Sequence, residues 1–289
     1  MSGIEKYQTM IMVKNLDYRY PNGTVALKGI SLKINKGELV GIMGKNGAGK
    51  TTLIRTLNGL IKPTRGEIFI NNENANLKSI AQLSRNIGLI FQNPSHQLFA
   101  NSVEDEIKFS LKNLDMSKEE LQNKVNKVLK EFDLEKYRER SPLNLSGGES
   151  KKLAIASIVC RDVGILVFDE PTLGQDAREI ESFINLINEE RKKNKTIIII
   201  THNIEFTYDY IPRTILMSDG QIIADGPTHH ILSNDLLVNK SSLVLPQAQQ
   251  ISLALQDSGF KNTEKITTKN ELISYITQIL TNNPISEED

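Results

Sequence analysis

Apolar and polar positions alternate with a period of two early in the chain. Met12-Val13-Lys14-Asn15-Leu16-Asp17-Tyr18 and Ile30-Ser31-Leu32-Lys33-Ile34 read as strands, with Pro21-Asn22-Gly23 as a turn between them. Glu38–Met43 predicts a further strand and Thr51–Leu57 a helix; Pro63-Thr64-Arg65-Gly66 breaks the chain before a strand at Glu67–Ile70. Ile87–Gln92 reads as a buried strand ending in a polar amide. Between about 93 and 160 the period changes. Leu121, Val125, Val128, Leu129 and Phe132 recur at helical spacing and strand signals vanish. Strands return at Ile165–Glu170 and Thr196–Ile200, separated by a helix with Ile180, Phe183, Ile184 and Ile187 on one face. Thr214–Met217 and Gln221–Ile223 flank Ser218-Asp219-Gly220, a hairpin signal.

The pattern predicts an α/β core over 1–228 with a helical subdomain inserted at about 93–160. An extension over 229–289 is mainly helical. Pro246 opens a helix that Gly259 stops, and Thr268 and Glu271 have capping-box spacing before a second. Some 60 residues are few for an independent core, so this extension is expected to pack on the main domain or on another subunit.

Three segments carry the chemistry. Gly44-Lys45-Asn46-Gly47-Ala48-Gly49-Lys50-Thr51 fits the phosphate-loop pattern and lies between a predicted strand and a predicted helix, the context that pattern requires. Its backbone N–H groups would surround phosphate oxygens, Lys50 would reach the outer phosphates, and Thr51 offers Mg²⁺ a hydroxyl. Ile165-Leu166-Val167-Phe168-Asp169-Glu170 is an apolar run that delivers two acids to the C-terminal edge of a sheet. Asp169 suits Mg²⁺ and Glu170 suits polarisation of an attacking water. Leu145-Ser146-Gly147-Gly148-Glu149 precedes a helix; Ser146 caps that helix, presents its N-terminus to an anion, or does both. Gln92 and His202 each follow an apolar strand, where an amide can touch metal and water and an imidazole can face a ligand. Taken singly, each is equally well an ordinary loop residue.

Composition narrows the classes. The chain has 289 residues, with 35 basic and 35 acidic side chains and no formal net charge, so no nucleic acid is expected as a partner. The single cysteine, Cys160, excludes a disulfide framework and a cysteine-rich zinc module, and its apolar neighbours predict a buried thiol. No apolar run approaches the ~20 residues of a membrane span. Met1–Lys6 lacks a basic start followed by an apolar stretch, so export is not expected.

Together these segments resemble the ATP-binding-cassette (ABC) ATPases, a branch of the P-loop NTPases, over residues about 10–228. The resemblance implies ATP and Mg²⁺ as cofactors. It implies a nucleotide site of Tyr20, Gly44, Lys45, Asn46, Gly47, Ala48, Gly49, Lys50, Thr51 and Thr52, with Thr51, Gln92 and Asp169 at the metal. Glu170, His202 and Gln92 would be the catalytic groups, the last two as the family's switch histidine and Gln loop. Tyr20 would stack on adenine, with Tyr18 as its rival. Ser146, Gly147 and Gly148 would serve the ATP of a second ATPase subunit, a copy of this chain or a paralogue, and Thr172–Asp176 would be the D-loop that touches it. Glu149 and Gln175 stand where the family often has Gln and Leu.

Leu173-Gly174-Gln175-Asp176, the segment Phe91–Phe99 and the extension with Leu245-Pro246-Gln247-Ala248 are similar to the ATPases of energy-coupling factor (ECF) importers. This implies a peripheral protein on the cytoplasmic face of the membrane, driving uptake of a vitamin or transition-metal ion. Its partners would be a transmembrane coupling subunit and a small substrate-capturing membrane subunit. In that family the extension mediates ATPase dimerisation. A groove near Gln97 and the acidic Glu104-Asp105-Glu106 run would receive cationic coupling helices; a solvated acidic helix start is the equal alternative. The competing functions are the ATPase of another ABC transporter class and a soluble ABC ATPase acting on nucleic acid or ribosomes. Lys50, Asp169, Glu170 and His202 are all present, which argues against a catalytically dead cassette.

Overall fold

The computed structural model describes residues 8–93, 97–263, 266 and 268–282. Met1–Lys6, residues 94–96 of the Phe91–Phe99 segment and the last seven residues lie outside that set.

Two sheets form the α/β part. The first is antiparallel, in the order β2 (Val25–Asn35), β1 (Thr9–Arg19), β4 (Arg65–Ile70), β5 (Glu73–Asn74). The second has the order β10 (Gln221–Pro227), β9 (Arg213–Ser218), β3 (Leu39–Met43), β8 (Thr196–Ile200), β7 (Ile165–Asp169), β6 (Ile87–Ile90). In it β9, β3, β8, β7 and β6 run parallel and only β10 is antiparallel. β3 and β8 are buried at every position, as expected for parallel strands covered on both faces. Ile11, Leu27, Leu53, Val167 and Ile198 belong to the core between the two sheets. The β9–β10 connection is a two-residue turn in which Asp219 and Gly220 both have positive φ (50° and 82°), the primed turn that suits strand twist.

Helix α1 (Lys50–Leu57) follows β3, and the short α2 (Ile80–Leu83) precedes β6. Between β6 and β7 the described residues contain no strand. They hold α3 (Val103–Leu111), α4 (Lys118–Glu131) and α5 (Gly147–Val159), which share a separate core of Val103, Ile107, Val125, Leu129, Leu153 and Ala154. Helix α5 joins this group to the sheet. Leu153 and Ala156 face the helical core while Ile155 and Val159 face the sheet core. Gly88 in β6 makes the join possible, because a Cβ there would come within 2.3 Å of Ile158 Cγ2.

β6 stops at Ile90, two residues before the predicted end. The Gln97 amide is the reason. Its Nε2 donates to Leu89 O (2.9 Å) and its Oε1 accepts from Phe91 N (3.0 Å), so backbone groups at the strand end are taken by a side chain. Gln97 is thereby a strand-capping residue. The acidic run is also largely internal. Glu104 pairs with Lys108 (3.0 Å) and Arg138 (3.2 Å) and accepts from Gln122 (2.9 Å), and these partners hold its carboxyl down at about 2. Glu106, buried, accepts from Phe99 N and Ala100 N at 3.0 Å each. Of the three acids only Asp105 is exposed.

Helix α6 (Ala177–Lys192) leads from β7 to β8, and α7 (Ile204–Tyr210) from β8 to β9. The extension comprises α8 (Thr228–Leu232), α9 (Asp235–Lys240), α10 (Gln247–Asp257) and α11 (Lys269–Asn282). It packs on the main domain. Ile231, Leu232 and Val238 share a core with Met43, Ile204 and Leu216. Gln247 N donates to Glu205 (2.8 Å), and Gln249 Nε2 donates to Tyr208 (2.9 Å). Pro246 and the Thr268–Glu271 box start α10 and α11 as predicted, and Gly259 follows α10 at φ 88°.

Candidate nucleotide site

The loop after β3 is shaped by glycine. Gly44 has φ 141°, and a Cβ there would lie 2.1 Å from Met217 O; Gly49 has φ 101°, and its Cβ would meet Ala26 O at 2.6 Å. The backbone can pass this close to β2 and β9 only without side chains. The loop therefore curls at the head of α1, where backbone N–H groups can converge on an anion; Ala48 N donates within the loop to Lys45 O (3.1 Å). Lys50, buried, reaches back across it and donates to Gly44 O (2.6 Å) and Lys45 O (3.0 Å). Burial pulls the Lys50 ammonium below the ordinary lysine value, and the charges of Glu170 and Asp169 oppose that fall. Thr51 is exposed at the first turn of α1. Asn46 and Gly47 are exposed and Ala48 is buried. Lys45 pairs with Asp219 at 3.1 Å, and Gly220 N donates to Ala48 O (3.2 Å), so the β9–β10 turn braces the loop.

Asp169 ends β7, paired with Ile200 of β8. Burial, then the neighbouring Glu170, raises its carboxyl above the usual aspartate value, against the charges of Lys50 and Arg55. Glu170 leaves the strand in a left-handed conformation (φ 50°) while its N–H still donates to Ile200 O (2.8 Å). A non-glycine residue held there stores strain, a recurrent property of functional positions. The buried carboxylate has two partners. Thr201 Oγ1 donates to Oε2 at 3.0 Å, and His202 Nδ1 lies 2.7 Å from Oε1. A carboxylate accepts, so Nδ1 carries the hydrogen and Nε2, on a half-exposed ring, faces outward. Thr201 was not legible as a site residue, since nothing in the sequence marks the residue before the histidine.

Tyr20 is placed beside the loop. Its hydroxyl and Thr52 Oγ1 are 2.9 Å apart, and Tyr18 meets its ring edge-on at 4.9 Å. Of the two rings, Tyr20 is the one joined to α1.

Two further predicted groups lie at a cleft and at the start of α5. Gln92 is exposed and lines a cleft of about 420 Å³ with Gly147, Gly148, Lys151, Gly174, Gln175 and Glu179; Lys50, Asp169, Glu170 and His202 are not among its walls. Ser146 caps α5 in a full capping box: its Oγ accepts from Glu149 N (3.3 Å), and Glu149 Oε2 accepts from Ser146 N (2.8 Å). The hydrogen bond from Tyr137 and those to Ser146 hold the Glu149 carboxyl down at about 2.

A loop that can cradle phosphates, a lysine inside it and two acids with a histidine at one sheet edge suit a nucleoside triphosphate. The sequence profile of the ABC transporter family matches residues 27–173. The chain belongs to the ABC transporter family. The energy-coupling factor transporter ATP-binding protein EcfA of Methanocaldococcus jannaschii is 37% identical over 84% of this chain and 88% of its own length. A putative ABC transporter ATP-binding protein of Methanosarcina mazei is 38% identical over 94% of this chain, which spans only 46% of that relative. Among solved structures, CbiO1 from Clostridium perfringens, described as part of the ABC transporter complex cbiONQ, superposes with a TM-score of 0.72 at 33% identity. That match covers 84% of this chain and 98% of the other. The fold is that of an ABC-type P-loop ATPase, and the chain is an ATP-hydrolysing enzyme of that class.

Proposed function

We propose that this ABC ATPase is the motor subunit of an ECF-type importer, coupling ATP binding and hydrolysis between two cassettes to uptake of a vitamin or transition-metal ion. The observation that carries the reading is the gathering of Lys50, Asp169, Glu170 and His202 behind one phosphate loop, in a chain similar to an EcfA over 88% of that protein's length. Glu170 would orient and polarise the attacking water, and His202, held by Glu170, would direct Nε2 at the terminal phosphate. Lys50 would exchange its two carbonyl partners for phosphate oxygens. Tyr20 would stack on adenine, with Thr52 fixing its ring. Thr51 and Asp169 offer a hydroxyl and a carboxylate, the hard oxygen donors that Mg²⁺ takes, and Gln92 would join them through its amide oxygen. Mg²⁺ bound there would neutralise phosphate charge.

The separation of the two anion-facing elements supports a dimer. Gly147 and Gly148 line a cleft that contains no residue of the phosphate loop, so their N–H groups would serve nucleotide held by another subunit. No helix among the described residues is long and apolar enough to cross a membrane. Membrane attachment, on the cytoplasmic face, would therefore run through a transmembrane coupling subunit, accompanied by a substrate-capturing subunit. Purification of the tagged chain from mild-detergent extracts of its own cells tests this. Recovery of a polytopic membrane protein with a small membrane protein is expected; recovery with ribosomes or nucleic acid instead overturns the transport reading and leaves the ATPase standing.

A further inference from the structure

The two glycines after Ser146 have different surroundings. A Cβ on Gly147 would meet nothing within 4 Å, which leaves space for a ligand. A Cβ on Gly148 would meet one atom, Glu179 Oε1, at 2.8 Å. Gly148 is not among the residues with positive φ, so backbone torsion does not require glycine there. What such a Cβ would displace is the carboxylate of Glu179, three residues into α6.

That carboxylate has two further roles. Its Oε2 accepts from Asp176 N at 3.1 Å, closing a capping box in which Asp176 Oδ1 accepts from Glu179 N at 2.9 Å. Its charge also supports Lys151, one turn along α5, whose ammonium is pulled below the ordinary lysine value by burial. One side chain thus touches the head of α5, where a partner's phosphate would arrive, and the last residue of the Leu173–Asp176 segment, which would face the same partner.

We infer that Glu179 is a positioning residue that couples phosphate contact at Gly147-Gly148 to the placement of the Leu173–Asp176 segment. The inference rests on the two-cassette ATPase reading. An anion arriving at the start of α5 meets the negative charge of Glu179 beside Gly148. Moving that carboxylate releases Asp176 N, and so alters the segment that precedes α6. Lys151 limits the repulsion by holding the opposite charge nearby. Glu179 touches no reacting atom; it acts through the backbone of two segments.

The test is steric exchange within the full chain, assayed as the assembled ATPase. Gly148→Ala drives a Cβ into the carboxylate and is expected to lower kcat about fivefold or more, the scale of coupling between contacting residues. Glu179→Asp withdraws the carboxylate by one carbon. In the Gly148→Ala background it is expected to restore most of the lost kcat, although Glu179→Asp alone lowers kcat. Equal damage by Gly148→Ala in both backgrounds overturns the proposal, because alanine would then obstruct the ligand directly. Nucleotide affinity of the separate subunit, read with a fluorescent ATP analogue, is expected to be unchanged by either substitution. If wild type and Lys50→Ala bind the analogue equally, the nucleotide reading itself fails, and the exchange experiment is judged apart from it.

Discussion

Glu170→Gln changes one oxygen to an amide nitrogen in a side chain that is 7% exposed. Volume is conserved, so neither a cavity nor a clash results. Thr201 Oγ1 can still donate to the remaining carbonyl oxygen. Either the group facing His202 Nδ1 becomes an NH₂, for which histidine gives up its Nδ1 hydrogen, or the amide turns so that its oxygen keeps His202 and its NH₂ donates to Thr201 Oγ1. Either exchange replaces a hydrogen bond to a charged acceptor, worth about 1.5–3 kcal/mol, with a neutral one of about 1 kcal/mol. Folding is therefore expected to be disturbed by no more than about 2 kcal/mol. The catalytic loss is larger. Removing a positioned base costs about 100-fold or more in turnover. Lys50 and the loop are untouched, so ATP is bound and held, and the variant is expected to accumulate as an ATP-bound dimer. Phosphate release measured on the assembled ATPase, with size analysis in the presence of ATP, reads both effects. Turnover within about tenfold of wild type would refute the assignment of Glu170 as the group that activates water.

Three other substitutions separate binding, folding and charge. Lys50→Ala removes the buried cation of the phosphate loop and is expected to weaken ATP affinity by at least about 100-fold, on the scale of a lost charge-assisted contact, as read by titration with a fluorescent analogue. Glu190 is 2% exposed and pairs with Lys195 and Lys193, both at 2.6 Å, while Lys195 also meets Asp162 at 2.8 Å. Glu190→Ala leaves the buried Lys195 with one exposed partner and is expected to cost roughly 3 kcal/mol, a fall in Tm of about 10 °C by calorimetry. Glu104→Gln tests the depressed carboxyl on α3. A lowered acid value means that the folded state favours the charged form. The advantage of wild type over the variant, about 1 kcal/mol for a partly exposed cluster, is expected at neutral pH. It should fade as pH falls from 4.5 to about 2, as read by urea unfolding across that range.

The phosphate loop, Asp169 and Glu170 were legible because their chemistry is written in contiguous residues with a strand on one side. The apolar runs of β3, β7 and β8 were legible for the same reason, since parallel strands need no partner in sequence to be read. Capping boxes at Ser146 and Thr268 were also local. What could not be read depends on residues distant in sequence. The early end of β6 is set by Gln97, seven residues past Ile90, acting on the backbone through its amide. The acidic run on α3 reads as a charged surface until Arg138 and Gln122, from other elements, turn Glu104 inward. α8 and α9 carry too few residues for a period to appear. Tyr20 drew on resemblance for its role, and only the fold supplies the contact with Thr52. Glu179 was not singled out in the sequence, and its place beside Gly148 belongs to tertiary structure.

The capped start of α5 reconciles two roles that compete on paper. Helix geometry leaves the first N–H groups of a helix without intrahelical acceptors. The Ser146–Glu149 box satisfies the N–H groups of Ser146 and Glu149 and takes neither of the two glycines. Gly147 and Gly148 therefore keep the N–H groups that an arriving phosphate needs, and the cap stiffens the turn that presents them. Glu149 adds a negative charge close to that anion site. Its carboxylate is tied to Ser146 N and to Tyr137, and Glu149 is not among the residues that line the cleft. A Gln at 149 would make the same cap with a neutral acceptor. The glutamate is thus compatible with anion binding because of where its hydrogen bonds point, and Glu179, with an oxygen beside Gly148, is left as the acid that an incoming phosphate must meet.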